Sequence, residues 1–86
     1  MARYKITIKR SAAKELNDIP KKDLGRITKR IQALADNPRP PGSEKLSAQE
    51  CHRIRQGDYR VVYSIDDRSF IVDIFKIGHR REIYKR

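Results

Sequence analysis

From Arg3 to Lys9 the chain alternates. Tyr4, Ile6 and Ile8 fall on one side of an extended backbone, and Arg3, Lys5, Thr7 and Lys9 fall on the other. This two-residue period predicts a half-buried strand. The period then lengthens. Ala12, Leu16 and Ile19 recur at helical spacing behind Ser11, a residue suited to cap a helix start. Asn17, Asp18 and Pro20 close that segment, and Pro20 is placed to open a second helix at its first position. Along the second helix Leu24, Ile27, Ile31 and Leu34 line one face, and Lys22, Arg26, Lys29 and Arg30 line the other. Asn37 to Gly42 holds three prolines and reads as a loop within the domain. After a brief extended piece near Leu46, three strand-like runs follow: Cys51 to Gln56, Tyr59 to Ile65 and Phe70 to Ile77. Short turns at Gly57-Asp58 and Asp66-Asp67-Arg68 separate them, which predicts an antiparallel meander.

The order of elements defines an α+β domain. It has an N-terminal strand, a helical hairpin and a three-stranded antiparallel meander, with the helices packed on one face of the sheet. Eighty-six residues make one domain, spanning residues 1–86, with one modest core. Alternation also sorts the meander by face. Cys51, Arg53 and Arg55 oppose His52 and Ile54. Tyr59, Val61, Tyr63 and Ile65 oppose Arg60, Val62 and Ser64. Phe70, Val72 and Ile74 oppose Ile71, Asp73, Phe75 and Ile77. The helices cover one face only, so Arg53, Arg55 and Arg60 belong to the open one. Three guanidinium groups there repel one another unless an anion sits among them. The alternative partners are the turn carboxylates Asp58, Asp66 and Asp67.

Charge sharpens this picture. Lys and Arg total 21 against 11 Asp and Glu, a net charge of +10. So large an excess in so short a chain implies a polyanionic partner such as nucleic acid, an acidic protein or anionic lipid. The cations cluster as arginine towards the C-terminus, in Cys51-His52-Arg53-Ile54-Arg55 and again in Gly78-His79-Arg80-Arg81-Glu82-Ile83-Tyr84-Lys85. Arginine presents a planar fork that matches phosphate. The interleaved aromatics suit stacking on bases. A lone cysteine, Cys51, fits a reducing cytoplasm. There is no signal-peptide run and no segment of bilayer-spanning length, so no membrane partner is expected. Two histidines and one cysteine lack the spacing of a zinc site, and no glycine-rich phosphate loop is present. Neither a metal nor another cofactor is expected.

Arg-Ile-Arg followed by Gly-Asp-Tyr-Arg-Val-Val-Tyr, then Ile-Gly-His-Arg-Arg-Glu-Ile-Tyr, resembles the RelE/ParE superfamily of toxins from bacterial and archaeal toxin–antitoxin systems. The early Ala-Ala-Lys-Glu-Leu and the Asn-Pro-Arg-Pro loop extend the likeness over nearly the whole chain. That resemblance implies a small sheet with a helical hairpin. RelE-type members cut mRNA in the vacant A site of the ribosome, whereas ParE-type members block DNA gyrase. The density of arginine and the terminal tyrosine look more like RelE. The resemblance implies site roles for Arg53, Arg55, Arg60, Arg80 and Tyr84, although the best-known bacterial RelE has lysines at the first two. Arg81 and Lys85 join Arg53 and Arg55 as RNA-binding candidates. The resemblance also implies a RelB-like antitoxin encoded alongside, and contact with DNA only through that complex.

Metal-free RNA cleavage needs a base for the 2′-hydroxyl, charge neutralisation at phosphorus, and a proton for the leaving 5′-oxygen. Arg60 and Arg80 suit the second task. The base is open among His79, Tyr84 and Glu82, because arginine effectively never deprotonates. His79 has the most suitable intrinsic pKa. Tyr84 could equally stack on a codon base.

Overall fold

The computed structural model describes residues 3–46 and 51–79. Strand β1 is Lys5–Ile8, followed by helices α1, Arg10–Asn17, and α2, Lys21–Ala33. Then come β2, Glu44–Leu46, β3, Cys51–Gln56, β4, Tyr59–Asp66, and β5, Ile71–His79. The strands form one five-stranded sheet in the order β1-β5-β4-β3-β2. The expected meander is present as β3-β4-β5, and two further strands flank it. β1 runs parallel to β5, and the brief extended piece becomes β2, antiparallel to β3. The domain is therefore α+β, as expected, with a mixed sheet.

Both helices lay their apolar stripes on the same sheet face. Ala12, Ile19, Ile27, Ile31 and Leu34 meet Ile54, Val61, Tyr63, Ile65, Val72, Ile74 and Ile77 in one buried cluster, with Leu16 and Leu24 packed against it. Full burial of each large aliphatic side chain contributes about 1.5–3 kcal/mol. The helix starts differ from expectation. Lys9 rather than Ser11 occupies the N-cap of α1, and Pro20 is the N-cap of α2 rather than its first residue. Lys9 is fixed in extended backbone because its N–H donates to the Ile74 carbonyl, so the turn to helix falls immediately after the sheet contact.

One strand departs from simple alternation. Val62 pairs with Lys76 but Tyr63 pairs with Ile74, so Phe75 is an extra residue on β5. Such a bulge reverses the parity beyond it. Ile77, expected opposite Val72 and Ile74, instead joins them in the core and is fully buried. Glu15 of α1 accepts the Ile77 N–H at 2.9 Å, satisfying an amide that faces away from β4. Phe70 lies before β5, in the turn, at φ 56 and partly exposed. Asp66 holds that turn by accepting from the N–H groups of Arg68 and Ser69.

Tyr63 ties the proline loop to the core. Its hydroxyl donates to the Pro38 carbonyl at 2.7 Å from a fully buried ring. Burial pushes its pKa up to about 12 from an ordinary 10.0. The unfolded chain ionises first, so this contribution to stability is complete below pH 10.0 and is lost as pH rises towards about 12. Tyr63→Phe is expected to cost about 1 kcal/mol in urea unfolding at neutral pH. It is also expected to flatten the alkaline fall in stability, as a pH series of unfolding midpoints would show.

Candidate nucleic-acid interface

The hairpin between β3 and β4 sets the register of the site. Gly57, at φ 62, opens a two-residue turn with Asp58. Positive φ at the first turn position and glycine there fit a hairpin turn of type II′. The register places Arg55 directly opposite Arg60, Arg53 opposite Val62, and Glu44 opposite Arg53. Residues paired this way share a face, so Glu44, Arg53, Arg55 and Arg60 converge on the side of the sheet away from the helices. The grouping of the three arginines expected from alternation is thus present. Like charges directly opposite one another destabilise a sheet.

The three arginines are solvated very differently. Arg55 is exposed, whereas Arg60 is only 5% exposed. Its Nε and Nη1 are buried, and among the described residues neither finds an acceptor. Guanidinium stays charged at any physiological pH. A buried charge with unmet donors costs several kcal/mol. An anion bound on this face would remove that cost.

A carboxylate does enter the cluster, and it is Glu44. Its Oε1 accepts from Arg53 Nη2 at 2.5 Å, while its side chain stays 52% exposed. The hydrogen bond from Arg53, with that residue's charge, holds the Glu44 carboxyl below its usual range, and the charges of Arg55 and Arg60 add to this. The turn aspartates weighed as alternative partners lie elsewhere. Asp67 takes Arg39 and the Tyr4 hydroxyl, Asp66 caps its own turn, and Asp58 lies 4.0 Å from His79. Glu44 was missed in the sequence because its link to Arg53 depends on the β2–β3 register. The available signal was a lone acid in the extended piece before the first arginine strand.

His79 comes out on the other side of the sheet. Gly78 pairs with Arg60, and after the bulge His79 pairs with Tyr59 and meets its ring edge-on. It lines a cleft of about 270 Å³ with Glu15, Asp18, Ile19 and Tyr59 at the helix hairpin. The structure therefore places His79 on the opposite side of the sheet from Arg53, Arg55 and Arg60. His52 also lies on the helix side, stacked on Tyr63, as alternation predicted. Arg80, Arg81, Glu82, Tyr84 and Lys85 lie outside the described residues.

Known proteins share this arrangement of elements. A model of the ParE toxin of the type II toxin–antitoxin system parDE matches residues 6–84. Toxin RelE of Mycobacterium tuberculosis is 34% identical over 84 residues, which cover 95% of this chain and 87% of that protein. The archaeal RelE–RelB complex from Pyrococcus horikoshii contains a chain with a TM-score of 0.82 at 28% identity, covering 91% of this chain and 96% of that one. The toxin–antitoxin complex RelBE2 from M. tuberculosis gives 0.81 at 25%, covering 93% and 94%. The chain belongs to the RelE/ParE superfamily of type II toxin–antitoxin toxins. Within it, the likeness to toxin RelE makes it a toxin of RelE type.

If Arg60 is kept for an anion at the expense of the fold, replacing it with an apolar side chain of similar length should stabilise the free protein. Arg60→Met is expected to raise stability by about 1 kcal/mol or more, read as a higher urea midpoint. A lower midpoint would show that Arg60 is structurally satisfied.

Proposed function

We propose that the arginine face binds the backbone of mRNA in the ribosomal A site, and that the protein is a ribosome-dependent, metal-independent endoribonuclease that stops translation. The observation carrying this reading is Arg60, buried on the open face with two donors lacking an acceptor among the described residues and flanked by Arg55 and Arg53. Fixed donors placed where negative charge develops stabilise a transition state more than a ground state. A pentacoordinate phosphorus formed by 2′-oxygen attack carries such charge. Arg60 is assigned that role together with Arg80. Arg53, Arg55, Arg81 and Lys85 hold the flanking backbone, and Tyr84 stacks on a base or moves a proton. The ribosome supplies in-line geometry that a site rich in arginine cannot impose alone.

The proposed setting is the cytoplasm, with a RelB-like antitoxin as partner. The related chains in the P. horikoshii and M. tuberculosis structures are in complex with such antitoxins. A net charge of +10 favours an acidic, amphipathic segment against this protein. DNA would be met only through the toxin–antitoxin complex.

The match to a ParE family model makes gyrase inhibition the second reading. Primer extension on mRNA bound to ribosomes with an empty A site separates the two. Cleavage is expected there, with little on naked RNA, and Arg60→Ala is expected to lower the rate by about a hundredfold or more while the fold survives. Intact mRNA together with inhibited supercoiling by purified gyrase would establish the second reading instead.

A further inference from the structure

We propose that Phe75 is a base-stacking platform, a second RNA subsite on the arginine face that takes the base next to the phosphate held by Arg60. The assignment rests on the reading of that face as an RNA surface and extends it from β4 towards β1. Phe75 is the extra residue of the β5 bulge and has no partner on β4. Bulges re-aim side chains, and they occur next to functional sites. Ile74, its neighbour, points into the core, so the Phe75 ring lies on the side away from the helices. Thr7 and Asp73, hydrogen-bonded at 2.8 Å, share that side. Neither the buried cluster nor the apolar side chains packed against it include Phe75, and its ring is only half-buried. The fold makes little use of a large aromatic side chain here.

The surroundings of the ring fit a nucleotide. Lys9 Nζ lies over the Phe75 ring, 5.8 Å from its centroid, at the exposed end of β1. The Lys9 N–H donates to the Ile74 carbonyl, which fixes this residue beside the bulge. Among the described residues little stands between the ring and Arg60. Gly78, opposite Arg60, has no side chain, and Lys76, opposite Val62, is drawn aside to Glu15 of α1. Phe75 is about two residues along β4 and one strand across from Arg60, a separation of about 8–9 Å at sheet spacing. Adjoining nucleotides of one strand can bridge that distance. Every base offers a π-face, so an aromatic ring on a cationic sheet face accepts one without reading its hydrogen-bonding edge. In the complex the base covers the ring, and the flexible Lys9 ammonium moves to the phosphate of the same nucleotide.

The test is a binding cycle. A fluorescent 2′-O-methyl RNA tetranucleotide is titrated with wild type and with Phe75→Leu, carrying either all its bases or an abasic site at one position. Wild type should lose about tenfold in affinity when one particular base is removed. Phe75→Leu should lose as much with the full RNA, and removing that base from its complex should cost nothing more. Stacking is not ionic, so Phe75→Leu should keep the salt dependence of wild type, whereas Lys9→Ala should lower its slope by about 0.7. Losses that simply add at every position overturn the stacking site, as happens if a protein segment rather than RNA covers Phe75. The RNA reading of the face stands in that case if Arg60→Ala still weakens binding. Wild type that binds the RNA no better than Arg60→Ala overturns both. Should Phe75→Leu fail to fold, the wild-type ring protons decide, with Phe70, the other phenylalanine, as the control. Phe75 resonances that move upfield with the full RNA and less with the abasic one support the site, and unmoved resonances overturn it.

Discussion

The site depends on a buried guanidinium, two of whose donors find no acceptor among the described residues. Arg60 is placed by backbone pairing alone. A two-residue turn brings β4 back along β3, and the register that puts Val61 against Ile54 on the core side puts Arg60 against Arg55 on the other. The core holds this arrangement in place. Slipping β4 by one residue would expose Val61, Tyr63 and Ile65 and turn Arg60 towards the helices. Hydrophobic burial thus opposes the electrostatic cost of clustered arginines, and the surplus charge stays directed at the open face.

The two faces of the sheet carry separate duties. The helix side is largely apolar, and its two described histidines and its tyrosines make close contacts there: His52 stacks on Tyr63, Tyr63 donates to the Pro38 carbonyl, and His79 meets the Tyr59 ring beside the cleft. The other side is cationic, with Glu44 held by Arg53 at its rim. The bulge at Phe75 separates these duties at the end of β5. Without the extra residue, Ile77 would leave the core and His79 would face the arginines. With it, Gly78 lies against Arg60, and His79 sits by the helix hairpin.

Much of this was legible in the sequence. The two-residue period assigned Cys51 to Arg55 of β3 and Tyr59 to Ile65 of β4 to their correct faces, because both strands are regular and the core side is rich in β-branched and aromatic residues. The helical stripes of α1 and α2 were equally plain. What escaped were features set by pairing between distant segments. The parity of β5 changes at a bulge that no local pattern marks. The start of α1 follows from the Lys9 N–H reaching Ile74, so a good capping residue at Ser11 went unused. Glu44 entered the site because a three-residue strand lies beside β3, and its spacing to the arginines spans a loop that carries no register information. The turn aspartates, given only as alternative partners for Arg53, Arg55 and Arg60, are engaged elsewhere: Asp67 with Arg39 and Tyr4, and Asp66 within its own turn.

The account stands or falls on Arg60 as an anion site. Its most direct test is the Arg60 Nε–H resonance in a nitrogen–proton NMR spectrum during titration with a short 2′-O-methyl RNA that cannot be cleaved. The account predicts that this resonance moves downfield and becomes protected from solvent exchange as RNA is added, while that of Arg39, already paired with Asp67, stays in place. An Arg60 resonance unmoved at saturating RNA would contradict it.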